Sequence, residues 1–200
     1  IDPSLKMLEK AQMRNSEIDW RIGSAENTGL SDSQLDGIVA SLTLHHWNNL
    51  ENGFAELNRI LKQNGTLVIF TATPTQMQGY WLNRYFPKML KDAIQQMPSM
   101  KSIEESLVKS GFEISGKELY FIQPDLEDKF LYCGKQNPKL YFEPRIRNGI
   151  SSFSDLARQK EVELGLFQLQ KDIDSGVIHE VIQSYQNDMG DYIFITAQKP

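Results

Sequence analysis

An α/β fold with a mostly parallel sheet is predicted for this 200-residue chain by three observations. A strand-like run from Leu35 ends in polar and aromatic residues, Ser41-Leu42-Thr43-Leu44-His45-His46-Trp47. An amphipathic segment follows from Asn48 to Gln63, with Leu50, Phe54, Leu57 and Leu61 sharing one face, as a helix lying on a sheet requires. After a turn at Asn64-Gly65 comes a second apolar run, Thr66 to Thr73. Strand, helix, strand at this spacing is a βαβ unit, whose strands run parallel and side by side.

The other elements follow in order. Asp2-Pro3-Ser4 reads as a helix start, with Pro tolerated at the first helical position and Asp or Ser able to cap the free amides. Leu5, Leu8 and Ala11 then form an apolar stripe. Ile18 to Ile22 alternates like a short strand, and Gly23 to Ser33 is a polar loop. Between Pro74 and Pro98 a bulky set (Met77, Tyr80, Trp81, Tyr85, Phe86, Met89, Leu90 and Met97) predicts either a helical lid or a helix packed on the core. Ser102 to Ser110 is a short helix closed by Gly111 as a left-handed cap. Glu118 to Ile122 reads as a strand, Ser154 to Lys171 as a long amphipathic helix, and Tyr192 to Ala197 as a closing strand. This alternation predicts an α/β domain with helical additions. The whole is expected to be a single domain, with a core over 1–73, a lid over 74–100, and C-terminal strands and helices over 101–200.

Composition narrows the function classes. A net charge of −5 argues against nucleic acid as a partner, because a phosphate-tracking surface needs clustered Lys and Arg. No apolar run reaches the roughly 20 residues needed to span a bilayer, so no membrane partner is expected. Cys133 is the only cysteine, which rules out a disulfide within the chain and favours a reducing, cytoplasmic setting. Cys133 sits in an apolar stretch and is expected to be buried and inert. No metal is expected, since adjacent histidines without Cys or acidic neighbours at ligand spacing make a poor metal site.

Several residues carry candidate chemistry. Asp2 is either a plain helix cap or a double acceptor for a ligand's hydroxyls. Ser24, Ala25 and Glu26 are either an ordinary polar turn or a ligand-contacting loop. His45 and His46 lie where an open α/β sheet has its ligand crevice. Either could act as a base near neutral pH, orient a substrate, or cap the next helix. Tyr80, Trp81 and Tyr85 are the aromatic candidates for a substrate cover, and Arg145 is a candidate clamp for a carboxylate. Tyr141, Arg147 and Ser151-Ser152 could also reach such a site.

Taken together, Asp2-Pro3-Ser4-Leu5-Lys6-Met7-Leu8, the histidine-bearing strand end and the turn Arg59-Ile60-Leu61-Lys62-Gln63-Asn64-Gly65 resemble the class I S-adenosylmethionine-dependent methyltransferases. The likeness is to the type 11 kind of the ubiquinone and biotin pathways and runs from Asp2 to about Phe121. It implies a Rossmann-like, mostly parallel sheet, and S-adenosyl-L-methionine and S-adenosyl-L-homocysteine as cofactor and product. It assigns Asp2 to the ribose, Ser24, Ala25 and Glu26 to the adenine side, and Ser41, Leu42 and His46 to the methionine side. The partner it implies is a small-molecule methyl acceptor, and catalysis would come mostly from proximity. The turn departs from the family's frequent Lys-Pro-Gly-Gly, but Asn64 suits a left-handed turn.

No G-x-G occurs in the chain, and the family's first strand and Gly-rich turn are not found before Asp2. The expectation is therefore an N-terminally truncated fragment of a longer enzyme. Its sheet edges would be exposed, inviting homo-oligomer formation. A degenerate, non-enzymatic binding or oligomerisation module is the alternative. A nicotinamide oxidoreductase is disfavoured by the strand end and the turn motif.

Overall fold

The computed structural model describes residues 1–153 and 158–200. The first part of the long helix predicted from Ser154 falls on residues 154–157, which lie outside the described residues. By internal contacts the chain forms two compact units. One holds residues 1–71, 99–117 and 194–200, and the other holds 72–98 and 118–193.

The first unit begins with helix α1, Leu5–Arg14, whose N-cap Ser4 accepts a hydrogen bond from the Met7 amide. The predicted strand over Ile18 to Ile22 is reduced to a single parallel bridge between Asp2 and Ile22, flanked by bonds from the Asp2 amide to the Arg21 carbonyl and from the Gly23 amide to the Asp2 carbonyl. Alternation alone does not make a strand where only one residue finds a ladder partner.

Strand β1, Leu35–Ser41, pairs in parallel with β2, Leu61–Thr71, through α2, Leu50–Ile60, as the βαβ reading requires. Asn49 caps α2 by accepting from the Asn52 amide. Phe54, Leu57 and Ile60 form its buried face, each such side chain contributing roughly 1.5–3 kcal/mol by leaving water. Strand β2 starts earlier than the apolar run, taking in the turn at Asn64, whose φ is +61°. The register therefore jumps from Leu35↔Leu61 to Gly37↔Thr66. Helix α5, Met100–Lys109, packs on α2 and ends near Gly111, at φ +82°.

Two further strands complete the sheet. They are β3, Glu113–Tyr120, and β4, Tyr192–Gln198, in the order β1-β2-β4-β3. The predicted strand at Glu118 to Ile122 thus begins five residues earlier, at Glu113. Strand β4 runs against β2: the Asn64 amide bonds to the Lys199 carbonyl at one end, and Phe70 stacks on Phe194 at the other. Strand β1 is one edge of the sheet, and Val39 on it is 72% exposed. Helix α1 buries no residue. The first half of the prediction, an α/β fold of Rossmann-like type with open edges, is what the structure has.

The second unit is helical and aromatic. It carries α3, Pro74–Gln78; a 3-10 turn, Trp81–Arg84; α4, Pro87–Gln96; α6, Pro144–Arg147; α7, Gln159–Ser175; and α8, Ile178–Ser184. The predicted cover over 74–98 is thus three short helical pieces, broken where Pro87 cannot continue a preceding helix. Among the described residues no helix is long and apolar enough to cross a membrane.

Candidate functional site

The end of β1 is built from a strained turn. Leu42 has φ +49°, which is rare for a bulky residue, and its amide donates to the Phe70 carbonyl at 2.8 Å. The 3-10 turn Leu44–His46 follows. Leu44 is buried in the core and anchors this turn, and the Trp47 indole donates to the Thr43 hydroxyl at 3.3 Å. Gly53 leaves room for that indole: a Cβ there would come within 2.5 Å of its ring. Ser41 and His46 are exposed, whereas His45 is partly buried with its ring centroid 3.9 Å from that of His46. The Nδ1 atom of His45 is buried and has no hydrogen-bond partner among the described residues. Burial, and then the neighbouring His46, lower its pKa to about 4, so the ring is neutral at physiological pH.

Glu26 ties the preceding loop to this turn. Its Oε1 accepts from the Asn48 amide at 2.7 Å and the Asn49 amide at 3.3 Å, at the N-terminus of α2. Burial pushes its pKa up, but bonds from backbone amides, including its own and those of Asn48 and Asn49, and from Ser24 outweigh that, and the net shift is downward. Ser24 closes a tight turn, its amide donating to the Asn27 carbonyl and its hydroxyl oxygen accepting from the Asn27 amide at 3.2 Å. Asp2 is half-buried beside Ile22 and Gly23, and its Oδ1 accepts from the Ser4 amide at 2.8 Å. The structure thus links Asp2, Ser24, Ala25 and Glu26 through the Asp2–Ile22 bridge and its loop, and links Glu26 to the turn after His46.

A clamp that the sequence did not reveal braces this loop. Glu56 on α2 accepts from the Thr28 amide at 2.9 Å and the Thr28 hydroxyl at 2.5 Å. Arg59 donates to both Glu56 oxygens, to the Leu30 carbonyl at 2.7 Å and to Asp32. The Arg59 bonds hold the Glu56 carboxyl down at about 2 against the opposing effect of burial, with Thr28 helping. The i, i+3 spacing of Glu56 and Arg59 was the only signal for it in the sequence.

In the second unit Tyr80, Trp81 and Tyr85 are each 4% exposed or less. The Tyr80 hydroxyl donates to the Tyr141 hydroxyl at 2.6 Å, and Tyr141 in turn donates to the Leu131 carbonyl at 2.6 Å. Burial drives the Tyr80 pKa upward. Tyr85 donates to Asp172 on α7 at 2.9 Å, and Gln168 donates to the same carboxylate at 2.7 Å. Sequence reasoning missed Asp172, a buried acid within a helix whose hydrophobic pattern gives no sign of it. Arg145 is exposed on α6, whereas Arg147 donates to the Tyr141 carbonyl at 2.6 Å. Cys133 is buried, and burial raises its thiol pKa, consistent with an inert side chain. Among the described residues no group of His, Cys, Asp and Glu is placed to hold a metal.

With this geometry established, comparison with known proteins defines the class. Residues 1–69 match the methyltransferase domain family. A solved methyltransferase ascribed to an antibiotic biosynthesis pathway of Anabaena variabilis superposes with a TM-score of 0.82 at 32% identity, over 97% of this chain and 78% of that one. A demethylmenaquinone methyltransferase of Desulfitobacterium hafniense is 32% identical over 145 residues, 67% of this chain and 54% of that protein. A ubiquinone/menaquinone biosynthesis C-methyltransferase of Rubrivivax gelatinosus is 24% identical over 136 residues, 56% of this chain and 53% of that protein. The chain belongs to the class I S-adenosylmethionine-dependent methyltransferases. It spans about half the length of these two curated relatives.

Proposed function

We propose that this chain carries the cofactor-binding face of an enzyme that transfers the methyl group of S-adenosylmethionine to a small-molecule acceptor. The observation that carries the reading is the single parallel bridge of Asp2 with Ile22, beside the Ser24 turn, in the same unit as the strained end of β1. The donor set fits the cofactor. A half-exposed carboxylate suits a ribose diol, a compact turn at Ser24 and Ala25 suits an adenine edge, and exposed Ser41 and His46 with half-buried Leu42 suit the polar amino-acid end. Glu26, with its carboxylate on the α2 amides, contributes by holding the adenine-side loop in register with the His46 turn.

When bound, the cofactor supplies a methyl group already activated by its sulfonium. The residues of this chain then bind and orient. His45 and His46 are the candidates for direct contact with the reacting groups. For the acceptor, Arg145, exposed on α6 of the second unit, is the candidate clamp for an anionic group, while Tyr80, Trp81 and Tyr85 are packed in the interior of that unit. The small-molecule substrates named for the quinone-pathway relatives support an acceptor of that size. The single cysteine supports a cytoplasmic setting.

The test is a calorimetric titration of the chain with S-adenosylhomocysteine. Weak but saturable binding is expected, and Asp2→Ala should weaken it further, by roughly 1.5–3 kcal/mol, through loss of bonds to a charged group. No heat up to millimolar ligand would overturn the reading for this chain. A second reading, a non-enzymatic module that self-associates, draws on the exposure of Val39 at the sheet edge and of Leu5, Met7 and Met13 on α1. Absence of heat together with a dimer by analytical ultracentrifugation would favour it.

A further inference from the structure

We propose that His45 accepts the hydrogen bond of the methyl acceptor through Nδ1, which makes that acceptor an O–H or N–H compound. The inference rests on the methyltransferase reading and adds the chemical class of the acceptor. A buried imidazole nitrogen with no partner among the described residues carries an uncompensated desolvation penalty. Native proteins keep few such atoms, and those they keep call for an explanation.

The turn that carries the ring is held at three points. Leu44 is fixed in the core, the Trp47 indole lies against Gly53, and Glu26 fixes the amides of Asn48 and Asn49. The same turn tolerates a left-handed Leu42, a second strain of the kind that gathers at ligand sites. Both features sit at the C-terminal end of β1, where open α/β sheets bind ligands.

The neutral ring sets the chemistry. A neutral imidazole keeps one proton; we place it on Nε2, so that Nδ1 offers a lone pair and a carboxylate or carbonyl oxygen presented to it would meet acceptor with acceptor. A hydroxyl, phenol or amine N–H answers it. His46, exposed and lying against His45, is the side chain whose swing admits the ligand.

The test uses the whole chain labelled with nitrogen-15. It has three histidines, so long-range proton–nitrogen spectra resolve their ring nitrogens, and His46→Gln and His179→Gln complete the assignment. Phenol is the probe, and anisole, its O-methyl counterpart without a donor, is the control. The expected result is an unprotonated Nδ1 in free His45 that moves upfield with phenol and not with anisole, and a lower half-saturation for phenol in His46→Ala. A proton on Nδ1 in the free chain, or equal or no response to the two probes, would overturn the proposal. The measurement is made with and without S-adenosylhomocysteine, whose own binding is read by calorimetry. Failure of the cofactor reading is thereby distinguished from failure of the role of His45.

Discussion

Gly165→Ala sets two effects of known size against each other inside α7. Gly165 is buried in mid-helix, where alanine is intrinsically better by about 1 kcal/mol. An added Cβ would lie 2.4 Å from the Tyr85 carbonyl oxygen and 2.4 Å from Phe86 Cε1. Non-bonded heavy atoms rest at about 3.5–4 Å, so α7 must retreat by about 1 Å from a backbone atom that cannot rotate away. Overpacking of this kind costs about 1–3 kcal/mol. The retreat also stretches the 2.9 Å bond from Tyr85 to Asp172, which joins the same two segments and contributes about 1 kcal/mol more. The expected net effect is a loss of about 1–3 kcal/mol. Urea unfolding followed by tryptophan fluorescence should show a lower midpoint with an unchanged slope. In a Tyr85→Phe background the loss should shrink by the hydrogen-bond share. If alanine instead raises stability by its helix preference of about 1 kcal/mol, the close approach of α7 to Tyr85 and Phe86 is wrong.

Three other predictions concern buried polar groups. Glu56 is held ionised far below a free carboxylate, so its contribution to stability is complete above the unfolded value near 4.5 and is lost as pH falls toward about 2. Glu56→Gln should cost about 2 kcal/mol at neutral pH, allowing for screening of half-exposed Arg59, and should flatten the acid limb of a stability–pH curve. Tyr141→Phe leaves the Tyr80 hydroxyl without its acceptor and the Leu131 carbonyl without its donor, and should lower stability by about 2–3 kcal/mol in thermal unfolding. His45 should titrate near 4 by proton NMR. Because its folded value lies below the free one, its stabilising effect is complete above the free-histidine range and lost as pH falls toward 4. A His45 midpoint above 6 would show that the ring is not desolvated.

Much of the fold was legible because its signals are local. The period-2 and period-3.6 patterns over Leu35 to Thr73 gave β1, α2 and β2, and the parallel pairing followed from their spacing. The left-handed Asn64 was written in residue type. The candidate positions Asp2, Ser24 and the histidine pair were found by motif order, and the structure links Asp2 to the Ser24 loop through one bridge.

The misses share a cause. The strand expected at Ile18 to Ile22 has the right alternation, but a strand exists only where a neighbour pairs with it, and pairing is not a property of the segment. Glu26 reads as a loop acid, yet its carboxylate meets amides 22 and 23 residues away. Asp172 reads as one more polar residue of a helix until Tyr85, 87 residues earlier, is placed against it.

The sequence by itself determined the α/β class and the βαβ unit, because hydrophobic period and turn chemistry act between neighbours in the chain. Only the tertiary structure decided that Glu26 braces a helix end, that Arg59 bridges Glu56 to Asp32, and that His45 keeps a buried nitrogen without a partner among the described residues. Those facts depend on which polar groups meet after distant segments pack. Burial and hydrogen bonding are fixed by coordinates in space, and separation along the chain does not set them.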